Sequence, residues 1–255
     1  MIGTMDTSPV EFHLPLAPLV FIHGAGSNRA FWHEQYAAFP TAHYLNLPGH
    51  SDLRDHPGTG DVMTSVEQYA DWVGRFVEEQ APGGVLLNGH SMGGAIVLTL
   101  ALRRPAWLRG IVLTGTGARL RVSPDLLHLL RTDYPAAVDL IVERSFAAQS
   151  GAPTYAERAR LNGIRRQLLR TPQEVTLADY EACDRFDVMS RLGEIDVPTL
   201  IFSGAQDSMT PPSYSAYLHR HIANSRLCVI ENAGHMLPLE QPGEYNRVLK
   251  ENQIS

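Results

Sequence analysis

The stretch Gly-Val-Leu-Leu-Asn-Gly-His-Ser-Met-Gly-Gly-Ala-Ile-Val-Leu, residues 84–98, decides how the chain is read. Val85, Leu86 and Leu87 form a short apolar run suited to a buried strand, whereas residues 95–102 carry helix formers over a broad apolar surface. Between them lies Gly89-His90-Ser91-Met92-Gly93, which fits the pattern G-x-S-x-G, a strand-to-helix turn that presents a serine. A serine at the tip of so tight a turn needs unusual backbone angles, and small neighbours let strand and helix pass closely. The helix behind it starts with free N–H groups that can stabilise an oxyanion. The same residues could instead form a glycine-rich turn with a structural serine. The strand before, the helix after and a further glycine at position 94 favour a nucleophile.

Outward from this point the chain alternates strand and helix. Leu19-Val20-Phe21-Ile22 is a four-residue apolar run between turn residues, as in the middle of a parallel sheet, and His23-Gly24-Ala25-Gly26 follows it. A helix is expected over residues 30–39, a strand over 43–47, and a helix to Gln80 capped by Thr64 or Ser65. Residues 10–14 read as a short edge strand and 108–114 as another buried one. The pattern then changes. Residues 123–187 contain no convincing strand and break into helical pieces near 124–132, 135–149, 155–170 and 177–184. Alternation resumes with strands at 199–203 and 226–230 and helices at 214–221 and 242–250. The expected fold is therefore α/β, a mainly parallel sheet with a helical insertion. Residues 1–122 and 188–255 would form its core and 123–187 a cap.

A serine needs a base to attack at neutral pH, and a histidine base needs an acid to fix its tautomer. Open parallel sheets place active groups just beyond the carboxyl ends of their strands. That rule selects Asp207, four residues past Ser203, and His235, five past Ile230. Ser91, Asp207 and His235 then run in the order serine, acid, histidine that accompanies the G-x-S-x-G turn. Among rivals, Ser51 in Gly49-His50-Ser51 lacks a following apolar helix, and Asp52 and Asp61 do not fit the chain order. Glu240 suits the approach to a helix better. His90 is expected to pack or hydrogen-bond beneath the turn. His23 is expected to brace the loop whose Ala25 N–H, with the Met92 N–H, makes an oxyanion hole.

Composition narrows the classes. The 255 residues, 44% hydrophobic and 19% charged, can bury one large core with an inserted lid. A net charge of −6 with mixed signs argues against a nucleic-acid partner. The basic residues Arg158, Arg160, Arg165, Arg166 and Arg170 read as a solvated helix face. Two cysteines, Cys183 and Cys228, suit a reducing cytoplasm, and no apolar run reaches membrane-spanning length. No metal or phosphate motif survives inspection, so no cofactor is called for.

Together His23-Gly24, Pro48-Gly49-His50-Ser51, Gly89-His90-Ser91-Met92-Gly93-Gly94, Gly204-Ala205-Gln206-Asp207 and Gly234-His235-Met236 make the chain resemble the α/β-hydrolase superfamily, in its capped esterase and lipase-like members. The resemblance implies an acyl-Ser91 intermediate, Asp207 and His235 completing the triad, and amides of Ala25 and Met92 as oxyanion donors. Family members usually open with a strand hairpin, for which too few residues precede Leu19, so six or seven strands are expected. Hydrolysis of small to medium, mainly uncharged carboxylic esters is the leading reading. Tyr134, Phe146, Tyr155, Met189 and Met209 would line an apolar substrate site, or else belong to the lid's own core. The same machinery serves carbon–carbon cleavage of meta-cleavage products, lactones, thioesters and perhydrolysis, and a non-catalytic ligand-binding protein is a further class. Partners would be a small-molecule ester and water.

Overall fold

The computed structural model describes residues 12–50, 62–147 and 154–254. In chain order the elements are β1 (Leu14–Pro15), β2 (Leu19–Ile22), β3 (His43–Tyr44), α1 (Val66–Gln80), β4 (Val85–His90), α2 (Met92–Arg103) and β5 (Leu108–Thr114). Helices α3 (Pro124–Thr132), α4 (Tyr134–Ser145), α5 (Tyr155–Leu168) and α6 (Gln173–Arg185) follow without an intervening strand. Then come β6 (Thr199–Gly204), α7 (Pro212–His221), β7 (Ser225–Ile230), α8 (Leu237–Glu240), α9 (Pro242–Glu251) and β8 (Gln253–Ile254).

Six strands form one parallel sheet in the order β3-β2-β4-β5-β6-β7. The apolar runs sit at its centre because helices cover both faces, so successive side chains are buried in opposite directions. Val20, Ile22, Val85, Leu87, Ile111, Leu113 and Ile201 enter one core with α1 and α2. Leu19, Phe21, Leu86, Val112, Leu200 and Phe202 enter the other, with α9 and the insert. Helix α2 is buried along Met92–Leu102, which explains why its sequence is apolar on every side.

The four inserted helices form the cap, with α3 and α4 also packing into the second core. Where the chain enters and leaves them, the two segments pair: Val188 N–H donates to Ala118 O at 2.8 Å, and Arg119 bridges to Asp187. Ser123 caps α3 through the Leu126 amide.

Several expectations need correction. The edge strand sought at 10–14 survives only as β1, which pairs with β8 rather than with the main sheet; residues 10 and 11 lie outside the described residues. The helix expected over 30–39 is 3₁₀ and spans Arg29–Gln35, interrupted at Trp32 where φ is −90° and ψ is 18°. Strand β3 is only two residues long; beyond it the Leu45 N–H still donates to Phe21 O at 3.0 Å, and the Leu47 N–H then donates to the His23 ring instead of to a strand. Helix α6 begins at Gln173, four residues before the expected start, since Pro172 sits at its N-cap and fixes φ there. Among the described residues no helix is long and apolar enough to cross a membrane.

Candidate active site

Strand β4 ends at His90 and α2 starts at Met92, so Ser91 alone makes the turn. Its φ of 54° and ψ of −117° lie where a side chain is strained. Close packing holds it there. A Cβ on Gly89 would overlap the Gly93 carbonyl, and one on Gly93 would overlap the Ile22 carbonyl. The Ser91 N–H donates to Thr114 O at 3.0 Å, and Thr116 Oγ1 donates to Ser91 O at 2.8 Å. Ser91 stays partly exposed while the residues on either side are buried.

Asp207 follows β6 and His235 follows β7, and the two meet at 2.9 Å between Oδ2 and Nδ1 with both side chains buried. Asp207 Oδ1 accepts the Met209 and Thr210 amides at 2.8 Å each, and Thr210 Oγ1 donates to Oδ2 at 2.8 Å. Burial alone would raise the Asp207 carboxyl; His235 and the Thr210 donors outweigh it and hold the group below the usual carboxylate range. A carboxylate can only accept, so the proton between the two lies on His235 Nδ1, which leaves Nε2 as the ring nitrogen able to serve as a base. The His235 carbonyl accepts His90 Nε2–H at 3.0 Å, and the two rings lie 4.7 Å apart. Among the described residues neither Ser91 Oγ nor His235 Nε2 hydrogen-bonds to another protein group. The Ala25 and Met92 amides likewise have no acceptor within the described chain. Such an arrangement can deprotonate a hydroxyl, hold a charged oxygen near the start of α2 and return the proton to a leaving group.

A family model described as the alpha/beta hydrolase family matches residues 19–248. The chain belongs to that family. Among its relatives, the pimeloyl-acyl-carrier-protein methyl ester esterase of Neisseria meningitidis serogroup C is 31% identical over 231 residues, 84% of each chain. A solved thermophilic esterase is 33% identical with a TM-score of 0.78, over 92% of this chain and 88% of the other. The enol-lactonase of Burkholderia xenovorans is 25% identical with a TM-score of 0.80, over 92% and 90%. The chain is accordingly a hydrolase of the carboxylesterase type.

Other singled-out residues of this hydrolase fall as follows. His23 is fully buried and donates Nδ1–H to Gly24 O at 2.9 Å while its Nε2 accepts the Leu47 amide at 3.1 Å. That bonding needs a neutral ring, in line with burial and the nearby His50 pushing its pKa well below 6.5. His90 lies beneath the turn, stacked on Phe31 at 4.4 Å, and burial drives it to about 3. Glu240 accepts the amides of Gly234 and Ala147, joining the histidine loop to the cap. Ser51, Asp52 and Asp61 lie outside the described residues. Arg165 of the basic helix face pairs with Asp139.

The expected substrate-lining residues scatter. Met209 is half-buried beside Asp207, and its sulfur accepts Ser145 Oγ–H at 3.1 Å. Phe146 packs near Gly234, with Arg160 over its ring at 5.4 Å. The Tyr134 hydroxyl is committed inside the cap to Leu168 O, Thr171 O and Thr176 Oγ1. Met189 lines a cavity of about 160 Å³ with Ala118, Tyr214 and Tyr217. Tyr155 opens α5, and its side chain lies outside the described residues.

Sequence reasoning missed two residues. Thr210 could have been found from Asp-x-x-Thr, the spacing at which an aspartate folds the following amides back on itself. Asp179, buried in mid-helix, gave no local signal of its partners.

Proposed function

We propose that this enzyme cleaves small to medium, mainly uncharged carboxylic esters through an acyl intermediate on Ser91. His235 Nε2 removes the Ser91 proton as Oγ attacks the ester carbonyl, and the new oxyanion is received by the Ala25 and Met92 amides. His235 then protonates the departing alcohol oxygen as the tetrahedral adduct collapses. Water, deprotonated by the same nitrogen, attacks the acyl-serine; collapse releases the acid and returns the proton to Ser91. Asp207 holds the Nδ1–H tautomer throughout and stabilises the imidazolium formed in each half.

The single observation that carries this reading is a buried Asp207–His235 pair, 2.9 Å apart, packed against the strained turn of Ser91. The esterase relatives support an acyclic ester, and the enol-lactonase likeness favours a lactone as the second reading, a cyclic ester opened by the same steps. Phe146 and Met209, beside the histidine and aspartate loops, are the best supported of the apolar contacts; Met189, Tyr155 and the ring of Tyr134 would extend them. Pairing of segments at 118–122 and 184–188 supports residues 123–187 as the cap domain and 1–122 with 188–255 as the core. Free Cys183 and Cys228 support a cytoplasmic setting.

A fluorophosphonate probe tests the assignment: it should label wild-type protein on the peptide containing Ser91 and leave folded Ser91→Ala unlabelled and inactive on p-nitrophenyl esters. Normal turnover by Ser91→Ala would overturn it.

A further inference from the structure

A second buried ionisable cluster lies behind the loop that carries Ala25, and none of its members takes part in the steps above. Its centre is Asp179, in the middle of cap helix α6 and fully buried. Three donors from three other segments converge on this one carboxylate. Tyr69 Oη donates to Oδ1 at 2.6 Å from α1, His50 Nε2 donates to Oδ2 at 2.7 Å, and the Gly26 amide donates to Oδ2 at 2.8 Å.

The protonation of His50 follows from its surroundings. Nε2 faces the Asp179 carboxylate and Nδ1 faces Pro48 O at 3.0 Å, and both of those oxygens can only accept. The ring therefore carries two protons and is cationic. Burial by itself would lower its pKa, but the Asp179 charge and the Pro48 carbonyl more than offset that and raise it. Among the described residues, the other titratable groups facing His50 are His23, with ring centroids 4.8 Å apart, and Tyr69, at 6.1 Å. His23 is neutral by the bonds given above. Tyr69, Tyr134, Tyr180 and Cys183, which also sense Asp179, are all held protonated by burial.

The geometry connects this cluster to the oxyanion donor. Each peptide unit is planar, so fixing its oxygen fixes the direction of its N–H. The Gly24–Ala25 peptide, which contains the Ala25 N–H, has its oxygen held by His23 Nδ1–H. The next peptide, Ala25–Gly26, has its N–H held by Asp179. Two consecutive planes are thus pinned, one from the core and one from the cap. Helix α6 also seats closely on the loop: Gly26 has φ of +64°, and a Cβ there would stand 2.8 Å from Thr176 Cγ2. A buried ion pair is a poor way to gain stability, because desolvation offsets most of the attraction, but three converging donors fix an orientation well.

We propose that Asp179 is a positioning residue for the reaction. From the cap it orients the Ala25–Gly26 peptide, with His50 and Tyr69 holding its carboxylate, and so steadies from the α6 side the adjoining peptide that carries the Ala25 N–H. The inference rests on the esterase reading above, and its test separates the two. Asp179→Asn keeps the size of the side chain and removes its charge; Tyr69→Phe removes one donor and leaves the charge pair intact. Each variant is assayed on p-nitrophenyl butyrate, and the inhibition constant of phenylboronic acid is measured, since the tetrahedral boronate on Ser91 places negative oxygen where the oxyanion forms.

Loss of one whole oxyanion donor costs about 10²–10³ in kcat, and misorienting one should cost about 10–10². The expected result for Asp179→Asn is therefore a kcat loss in that range with KM little changed, and boronate affinity falling in parallel. Tyr69→Phe should show the same pattern at a smaller amplitude, and it carries the test alone should Asp179→Asn fail to fold. Folded variants with unchanged kcat and boronate affinity, or with raised KM and unchanged boronate affinity, would overturn the proposal. If wild-type protein fails to take the fluorophosphonate on Ser91, the esterase reading has failed instead.

Discussion

Replacing Thr210 by valine removes one hydroxyl and keeps the shape of the side chain. The Asp207 carboxylate receives four hydrogen bonds: Met209 and Thr210 amides on Oδ1, Thr210 Oγ1 and His235 Nδ1 on Oδ2. Thr210→Val deletes the third and leaves the two amides, so the loop retains its turn. A hydrogen bond to a buried charge contributes about 1.5–3 kcal/mol. For a chain of this size each kcal/mol moves the melting temperature by about 2–4 °C, so a fall of about 3–12 °C is expected at neutral pH. The sign of the pH dependence follows from the depressed Asp207 carboxyl. Its ionised-state stabilisation is present above the unfolded value of 3.8 and lost as pH falls through the lower folded value. The deficit of the variant should therefore be widest near neutrality and should shrink in acid, where wild type loses the same contribution. Turnover should fall less than tenfold, because the His235 bond to Oδ2 survives. Thermal melts from about pH 3 to about pH 7, alongside Thr210→Ser as the rescuing control, provide the assay. A deficit that is absent, or constant across that range, would refute the assignment of Thr210 as a charge-stabilising donor.

Asp207→Asn should fold and lose activity on the order of 10⁴-fold, because an amide in place of the carboxylate disturbs the His235 tautomer; the magnitude is that of the same change in an unrelated serine enzyme. Near-normal kcat in the folded variant would mean that another acid orients His235. The raised pKa of His50 makes a second linkage prediction. Stability from its pairing with Asp179 is complete below the unfolded value of 6.5 and fades as pH rises through the folded value. The melting-temperature gap between wild type and Asp179→Asn should accordingly narrow on the alkaline side, and a gap that stays constant would argue against a cationic His50.

The parallel sheet and the Ser91 turn were legible because both leave dense local signals. The four-residue apolar run Leu19–Ile22 and the three-residue run Val85–Leu87, each bounded by turn or polar residues, mark central strands, and glycines at 89 and 93 are demanded by backbone contacts that no other residue permits. Asp207 and His235 were found from their position after strands, which is a rule of topology rather than of propensity. What escaped was tertiary. Residues 10–14 look like an edge strand, yet β1 finds its partner in the final residues of the chain, and no local pattern encodes that choice. Tyr134 reads by its type as either a pocket aromatic or part of the lid's core, and its hydroxyl is engaged inside the cap by two carbonyls and the Thr176 hydroxyl. Asp179 lies in a helix whose charged residues look solvent-facing, and its role depends on His50 and Tyr69, both more than a hundred residues away.

The sheet order has a consequence for how the chain is made. Strand β6 pairs with β5, but the four cap helices separate them by about 85 residues, which a ribosome takes roughly 4–17 s to synthesise. Throughout that interval β2, β3, β4 and β5 can already be paired, while the N–H and C=O groups of β5 that will meet β6 have no strand beside them. An uncovered parallel edge is a template for pairing with any extended segment nearby, including a second nascent copy. The cap is therefore synthesised while the half-built sheet is at its most adhesive, and the release of β6 closes that edge.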